Sequence, residues 1–257
     1  MAFEVSTKRH GNIGEIHFSA PPHNFASPPL LGAIADSIDA MDADSDIRCI
    51  LLTAEGRSFC GGANLAGDES VQGSSGMDEI GRLYENATRI FRRKKPMVAA
   101  VQGAAIGAGL GLALTADFRI ATHRARFSAN FVKLGFHPGF ALTYTLPRMI
   151  GVQRAGWMML SGDRVKAEEA LGWGLVDRIA DEEDFEAAAL AMAGDIACNA
   201  PLALVSIRAT LTAEVGDRAV AAMTHEHEQQ TALKGTADYE EGVAAVFARR
   251  PAVFTGR

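Results

Sequence analysis

Two glycine- and alanine-rich segments, about forty residues apart, each follow a short apolar run. The first is RSFCGGANL at residues 57–65, after the apolar run at 49–53. The second is QGAAIGAGLG at residues 102–111, directly after the apolar run at 97–101. Such runs predict buried strands, and the small residues that follow leave backbone N–H groups uncovered. Two uncovered amides that converge on one point stabilise negative charge on a carbonyl oxygen, so the pattern predicts an oxyanion hole and acyl chemistry.

The composition is that of a globular protein with a sizeable core. Of the 257 residues, 48% are hydrophobic and 22% are charged, which favours one large domain or one domain with an appendage. The net charge of −6 argues against a general role at nucleic acids or membrane surfaces, because those partners require a basic field. The basic cluster RRKK at 92–95 leaves two interpretations open, a solvated helix end or a contact with an anionic ligand.

The three cysteines, Cys49, Cys60 and Cys198, are widely spaced and form no C-x-x-C pair. This pattern argues against a disulfide framework and against a zinc site, and it fits a reducing compartment. No apolar run reaches the length of a membrane span, and the N-terminus lacks the apolar region of a signal peptide. The sequence therefore predicts a cytoplasmic protein that binds no metal.

The N-terminal residues carry clear strand and helix signals. Residues 3–9 and 13–19 alternate in polarity around a Gly-Asn pair, which predicts a hairpin. Ser27 then precedes Pro28 and a run with helical apolar spacing, so the sequence predicts a helix with Ser27 as its N-cap.

Further elements follow in a repeating order. Residues 77–95 predict a helix that ends before Pro96, and residues 116–121 predict a short strand. The order strand, strand, helix recurs, with crossovers long enough for parallel pairing. After Glu182 the pattern is wholly helical, with no linker strong enough to separate an independent domain. Helices are predicted up to 199, from 201 onward, at 217–233 and at 239–248.

Four blocks of sequence resemble the crotonase superfamily, the enoyl-CoA hydratase/isomerase family. They are the two glycine-rich segments at 57–65 and 99–117, the pair GFHPG and LPRMIG at 135–139 and 146–151, and the ending RRPAVFTGR at 249–257. Each motif alone is weak. Four motifs in the family's order, over roughly two hundred residues, are specific.

The resemblance implies an α/β fold, a spiral of ββα units with a C-terminal helical region that packs trimers. It places the spiral core with the acyl-CoA site at residues 1–195 and the helical region at 196–257. It also implies a homotrimer or a dimer of trimers. The implied ligand is a coenzyme A thioester that is bound as substrate, with no permanently bound cofactor.

By position, the resemblance assigns the two oxyanion N–H groups to Ala63 and Ala108. Only a backbone amide is needed there, so alanine serves as well as glycine wherever φ is negative. The residues implied to bind the substrate or its CoA portion are His23, Phe25, Arg57, Gly62, Asn64, Leu65 and Gly107.

The sequence departs from the family at the positions that carry acid/base chemistry. Hydratases of the family use two glutamates, and the matching positions here are Gly111 and Phe131, neither of which transfers a proton. The aspartate position of related isomerases and dehalogenases is Gly139, and that of naphthoate synthases is Pro138. Ordinary two-glutamate hydration is therefore disfavoured.

Several residues are candidates to replace the missing carboxylates. His137 lies beside the vacant positions and has a side chain suited to a general base near neutral pH, although a histidine before Pro-Gly also serves to hydrogen-bond a turn. Glu79, Tyr84 and Glu85 fall on the helix that borders the acyl pocket in this family, but surface positions explain them equally well. Cys60 adjoins the oxyanion segment and is either a nucleophile or a packing residue.

Two other classes of site are disfavoured by spacing. The run Gly107-Ala-Gly-Leu-Gly111 lacks the final glycine of a dinucleotide fingerprint, since Leu112 stands in its place. No G-x-S-x-G motif of a serine hydrolase is present. Three hypotheses remain: an acyl-CoA isomerase, decarboxylase, hydrolase or atypical hydratase; a non-catalytic acyl-CoA-binding protein; and a structural subunit.

Overall fold

A computed structural model describes residues 2–63 and 79–257. In this part of the chain the strands are β1 (Glu4–His10), β2 (Ile13–Ser19), β3 (Cys49–Ala54), β4 (Ser58–Cys60), β5 (Met97–Val101), β6 (Ala104–Ile106), β7 (Phe118–Thr122), β8 (Arg126–Ser128), β9 (Val165–Lys166) and β10 (Arg178–Ala180). The helices are α1 (Pro28–Ala43), α2 (Glu79–Phe91), α3 (Ala108–Thr115), α4 (Leu142–Ile150), α5 (Val152–Ser161), α6 (Ala167–Trp173), α7 (Phe185–Ala197), α8 (Pro201–Leu211), α9 (Val215–Lys234) and α10 (Ala237–Ala248). A 3₁₀ helix covers Asn130–Leu134.

The strands form two sheets. The larger has the order β1-β2-β3-β5-β7-β10, in which β1 and β2 pair as an antiparallel hairpin and the other neighbours are parallel. The smaller has the order β4-β6-β8-β9. Along the chain, β3 and β4 are followed by α2, and β5 and β6 by α3, so each unit contributes one strand to each sheet and then a helix. The predicted repeat of strand, strand and helix with parallel pairing is confirmed.

The central strands β3 and β5 of the larger sheet are buried on both faces, which explains their continuous apolar sequences. Successive side chains of a strand point to opposite faces. Ile50 and Leu52 of β3 accordingly join the main core, whereas Cys49 and Leu51 pack with α7 on the other side. Helix α7 therefore belongs to the packing of the sheet.

The predicted hairpin of β1 and β2 and the predicted N-cap of α1 are confirmed, and the end of α2 differs from the prediction. The Ser27 hydroxyl accepts a hydrogen bond from Leu30 N at 3.4 Å and caps α1. Helix α2 ends at Phe91 instead of at residue 95. The reason is tertiary, because the carboxylate of Asp42 accepts hydrogen bonds from the amides of Lys94 and Lys95 at 2.7 and 3.0 Å and holds a non-helical turn.

The basic cluster at 92–95 is largely an internal structural feature. The guanidinium of Arg93 is buried and bonds Asp117 at 2.6 Å, and the Lys95 ammonium donates to the carbonyls of Met41 and Asp44. Arg92 pairs with Asp217 at 2.8 Å. Neither interpretation from the sequence anticipates that two of these cations are buried.

The C-terminal region is helical through α7 to α10, as predicted, but residues 249–257 are not. This tail is held by carboxylates of α10: Asp238 accepts from the amides of Thr255 and Gly256, and Glu241 accepts from Val253 N and from the Arg250 guanidinium. The predicted division at residue 195 stays a prediction.

Two sequence-wide expectations concern membranes and metals. In the described ranges no single helix is long and apolar enough to cross a membrane; only the pair α7 and α8, bent by 95°, meets the length and composition requirements together. The same ranges contain no group of three or more His, Cys, Asp or Glu side chains that could hold a metal ion.

Candidate active site

One cavity of about 230 Å³ lies where the two glycine-rich segments meet. Gly62 and Ala63 reach it from the loop after β4, and Gly107 and Ala108 reach it at the N-terminus of α3. Its other described lining residues are Phe25, Gly61, Ile80, Leu83, Tyr84, Ile106, Asn130, Phe131, Leu134, Phe136, Gly139, Phe140, Gln230, Val246 and Phe247. The cavity therefore lies between the loops that follow the strands and helices α2, α9 and α10.

Neither the amide of Ala63 nor that of Ala108 donates a backbone hydrogen bond within the described residues. Ala63 pairs with Ala26 in a single parallel bridge, in which Ala26 N donates to Gly62 O at 2.8 Å. In such a bridge one residue bonds to the chain neighbours of the other, so the bridge to Ala26 does not use the N–H of Ala63 itself. Ala108 is the first residue of α3, where an N–H has no partner inside the helix.

Glycines bring the two segments close together. A β-carbon on Gly103 would lie 1.9 Å from Arg57 O, and one on Gly109 would lie 2.1 Å from Cys60 O. At Gly62, where φ is +96°, a β-carbon would lie 2.9 Å from Ile106 O and 3.9 Å from the nitrogen of Ala108. Side chains at these positions would force the segments apart, so the glycines fix the approach of the two loops.

The segment 23–25 is attached to the first loop by its backbone and by Asn24. His23 O accepts from Gly61 N at 2.8 Å. The buried Asn24 side chain accepts from Ala20 N and donates to Glu55 O and Ser58 O, all within 2.9 Å. Sequence reasoning missed Asn24; the signal available was an Asn after Pro-Pro-His, and its left-handed φ of 54° is a conformation that asparagine tolerates.

The predicted binding residues fall into three groups. Phe25, Gly62 and Gly107 line the cavity. His23 and Arg57 are exposed outside its described lining. Asn64 and Leu65 lie outside the described residues.

The cavity wall is mainly apolar. Aromatic and aliphatic side chains from α2, the 3₁₀ helix and α10 cover most of it. Polar side chains enter the described lining at Tyr84, Asn130 and Gln230, and no carboxylate does.

The two positions that the resemblance assigns to hydratase glutamates have different surroundings. Phe131 lines the cavity. Gly111 does not, because the ring of Phe140 covers it: a β-carbon there would lie 2.6 Å from Phe140 Cβ, Cγ and Cδ1. At Gly139 a β-carbon would lie 2.1 Å from Tyr84 Oη and 2.6 Å from Gln230 Nε2.

Phe140 and the following Ala141 both have left-handed backbones, with φ of 61° and 57°. Each such conformation costs a non-glycine residue about 1–2 kcal/mol. The buried carboxylate of Glu226 holds this corner, since it accepts from Ala141 N at 2.7 Å, Thr143 N at 2.9 Å and Thr143 Oγ1 at 2.6 Å. Burial raises the pKa of Glu226 above its ordinary value despite these donors. Its position on α9 offered no sequence signal for this role.

The other acid/base candidates lie away from the described cavity wall. His137 Nδ1 is 2.8 Å from the carbonyl of Pro138, and its ring is not part of the lining. Glu79 and Glu85 are exposed on α2. Burial raises the pKa of the Cys60 thiol to about 11, so this sulfur is protonated near neutral pH, which disfavours a nucleophilic role.

Comparison with known proteins identifies the class that this fold and cavity represent. A family model described as enoyl-CoA hydratase/isomerase matches residues 8–257. The chain belongs to the enoyl-CoA hydratase/isomerase family, and the resemblance seen in the sequence is confirmed.

Similar proteins have more than one activity. The chain is 33% identical over 229 residues to a 1,2-epoxyphenylacetyl-CoA isomerase of Escherichia coli, covering 87% of each chain. It is 30% identical over 263 residues to a crotonyl-CoA hydratase of Syntrophomonas wolfei, covering all of both chains. A crystal structure of an enoyl-CoA hydratase/isomerase from Pseudoalteromonas atlantica superposes with a TM-score of 0.85 at 28% identity, covering 98% of this chain and 99% of the other.

Proposed function

We propose that this protein is an acyl-CoA enzyme in which the amides of Ala63 and Ala108 form an oxyanion hole for a thioester carbonyl. The observation that carries the proposal is the meeting of the two loops at one apolar cavity, with neither amide donating to the described backbone. The carbonyl oxygen gains negative charge as the substrate becomes a thioester enolate. Two fixed N–H donors stabilise that charge.

The CoA thioester is the substrate, and the proposal includes no resident cofactor. Phe25, Gly62 and Gly107 line the cavity and would contact the thioester portion. The exposed His23 and Arg57 are proposed to meet the CoA portion, with the Arg57 guanidinium at a phosphate. Asn64 and Leu65 keep the binding role that the resemblance implies.

The proposed chemistry proceeds without two glutamates. The described part of the cavity wall has no carboxylate to act as a base. This favours reactions in which the bond that breaks within the substrate supplies the electron pair. In a decarboxylation, the bond between the α-carbon and a carboxylate breaks, CO₂ leaves, and the electron pair enters the thioester as an enolate. A proton from water at the α-carbon completes the reaction. Isomerase, hydrolase and atypical hydratase reactions use the same enolate or oxyanion stabilisation.

The proposal also includes assembly as a homotrimer or a dimer of trimers in the cytoplasm. Large apolar side chains of α8 are exposed in the single chain: Leu202 by 85%, Ile207 by 58% and Leu211 by 67%. Exposed apolar patches of this kind mark surfaces that other protein chains cover.

The test uses a panel of acyl-CoA thioesters, including malonyl-type and unsaturated ones, with product detection by mass spectrometry. Ala108→Pro removes one amide donor at a helix position that tolerates proline. We expect it to lower turnover about 10²–10³-fold. Ala237→Pro, at the exposed first position of α10 after an extended Thr236, is the matched control and should keep wild-type turnover.

Each alternative gives a different result in this experiment. Binding of thioesters in calorimetry without any product would support a non-catalytic acyl-CoA-binding protein. No affinity for any thioester would support a structural subunit. Full turnover by Ala108→Pro would refute the oxyanion assignment.

A further inference from the structure

Tyr84, Gly139 and Gln230 form a polar notch in the otherwise mainly apolar cavity wall. We propose that Gln230 Nε2 donates a hydrogen bond to an oxygen on the acyl group, so that the substrates are acyl-CoA thioesters with a hydroxyl or keto oxygen beyond the thioester carbonyl. This inference rests on the proposed function. It adds a substrate class that the oxyanion hole alone does not select.

The hydrogen bonds of Gln230 fix which end of its amide is the donor. Its Nε2 atom lies 3.0 Å from the carbonyl oxygen of His137, which only accepts. Its Oε1 atom therefore faces Tyr84 Oη, at 3.0 Å, and accepts the phenolic proton. The His137 carbonyl thus fixes the orientation of the amide, and Tyr84 is a positioning residue that holds its oxygen end.

Within residues 2–63 and 79–257, one N–H of the Gln230 amide has no hydrogen-bond partner after this arrangement. A side-chain amide nitrogen carries two hydrogens, and the carbonyl of His137 takes one of them. Nε2 lies 2.6 Å from the point where a β-carbon of Gly139 would stand, and both residues line the cavity. The absence of a side chain at residue 139 therefore lets Tyr84 Oη and Gln230 Nε2 pack directly against this backbone, so that the Gln230 amide itself forms part of the cavity wall.

Burial makes the remaining donor selective. The Gln230 residue is only 2% exposed. An apolar acyl group packed on the notch would strip water from the N–H without replacing its hydrogen bond, which is unfavourable. An oxygen on the acyl group would satisfy it, and sites that hydrogen-bond a substrate oxygen reject the analogue that lacks one.

The experiment measures binding with CoA thioethers, in which a methylene replaces the thioester carbonyl. S-hexyl-CoA is compared by calorimetry with derivatives that carry a hydroxyl at successive chain positions and with the corresponding ketones. Because these ligands have no thioester carbonyl, their relative affinities are independent of the oxyanion amides. We expect at least one oxygenated ligand to bind about 3- to 10-fold more tightly than S-hexyl-CoA.

Variants of α9 and α2 assign the preference to Gln230. Gln230→Met keeps the length of the side chain and should bring the affinity ratio to about one. Gln229→Met, the same substitution at a neighbour outside the described lining, should keep the wild-type ratio. Tyr84→Phe should give an intermediate ratio, since it releases Oε1 but keeps the donor. Tyr84→Phe also serves as the second test if Gln230→Met does not fold.

The outcomes separate this inference from the proposed function. If the wild type binds S-hexyl-CoA and shows no preference for any oxygenated ligand, the notch does not select oxygen and only this inference fails. A full preference in Gln230→Met also overturns it. A wild type that binds none of the ligands overturns this inference, whereas the proposed function is decided separately by turnover of the thioester panel. Tighter binding of the hydroxyl ligands or of the ketone ligands identifies which of the two acyl classes the notch accepts.

Discussion

The ring of Phe140 lies directly against the α-carbon of Gly111, so closely that a β-carbon on Gly111 would be 2.6 Å from three Phe140 atoms. Phe140 itself is 1% exposed and has a left-handed backbone held by the Glu226 contacts. The position that the resemblance assigns to the first glutamate is therefore covered by another side chain, and a glutamate there would require the corner at residue 140 to move.

Gly111→Ala should lower the free energy of unfolding by about 1–3 kcal/mol, because overpacking at Phe140 outweighs the better helix propensity of alanine. Urea denaturation measures the change. Gly156→Ala, within α5 and with nothing within 4 Å of the new β-carbon, should instead be neutral or stabilising. Equal stabilisation by both substitutions would contradict this expectation and show that Phe140 can move away from residue 111 at little cost.

Crotonyl-CoA should not be hydrated by the wild-type protein. Hydration needs paired acid and base groups on the added water, and the described cavity wall offers no carboxylate. The measurement is the absorbance of the conjugated thioester over time, with product analysis by mass spectrometry. Rapid loss of that absorbance would show that another group replaces the two glutamates.

Asp117→Asn should lower the free energy of unfolding by about 3–5 kcal/mol, because it leaves two buried cations without a counter-charge. Its carboxylate bonds Arg93 at 2.6 Å and Arg208 at 3.0 Å, and so joins α8 to the core. Burial acts to raise the pKa of Asp117, but the two arginine charges outweigh it and keep the pKa below its ordinary value.

The matched control for this substitution is Asp163→Asn. Asp163 pairs with Lys133 at 2.8 Å, but both side chains are more than half exposed, so the loss should be only about 0–1 kcal/mol. A small effect at both aspartates in denaturant unfolding would contradict a structural role for the buried cluster.

The contact between Glu241 and the C-terminal tail should persist in mild acid. Hydrogen bonds from Arg250 and from Val253 N lower the pKa of Glu241 from 4.5 to about 2. A carboxylate with a lowered folded-state pKa stabilises the fold above its ordinary pKa, and that contribution is lost only as the pH falls toward the folded-state value. The Val253 amide shift in NMR should therefore stay constant down to about pH 4 in the folded protein.

Variants of α10 test this assignment. Glu241→Gln should shift the Val253 amide signal at neutral pH and abolish any acid titration of it. Glu240→Gln, at the exposed neighbouring position, should leave the signal unchanged. A titration of the wild-type signal near the ordinary glutamate pKa would contradict the contact.

His137→Ala should leave turnover nearly unchanged. The imidazole is engaged with the Pro138 carbonyl and is absent from the described cavity lining. If His137 is the general base that its place in the sequence suggests, the same substitution should lower kcat about 10²–10⁴-fold. A pH profile of kcat for both proteins distinguishes the two results.

The sequence by itself determined five strands of the larger sheet, their parallel crossovers, the C-terminal helices and the place of the two glycine-rich loops; it predicted none of the elements between residues 123 and 180. These features depend on local periodicity and on small residues at fixed spacing, which a chain displays without folding. The motifs at 57–65 and 99–117 also identified the family that the comparisons confirm.

Only the tertiary structure decided which side chains surround the positions that the resemblance assigns to acid/base groups. Tyr84 and Gln230 are 146 residues apart, and Glu226 lies 85 residues from the Ala141 amide that it holds. The early end of α2 has the same origin, because the Asp42 carboxylate accepts hydrogen bonds from the amides of Lys94 and Lys95, more than 50 residues away in the sequence. No local pattern records such contacts, since they arise only when packing brings distant helices against one loop.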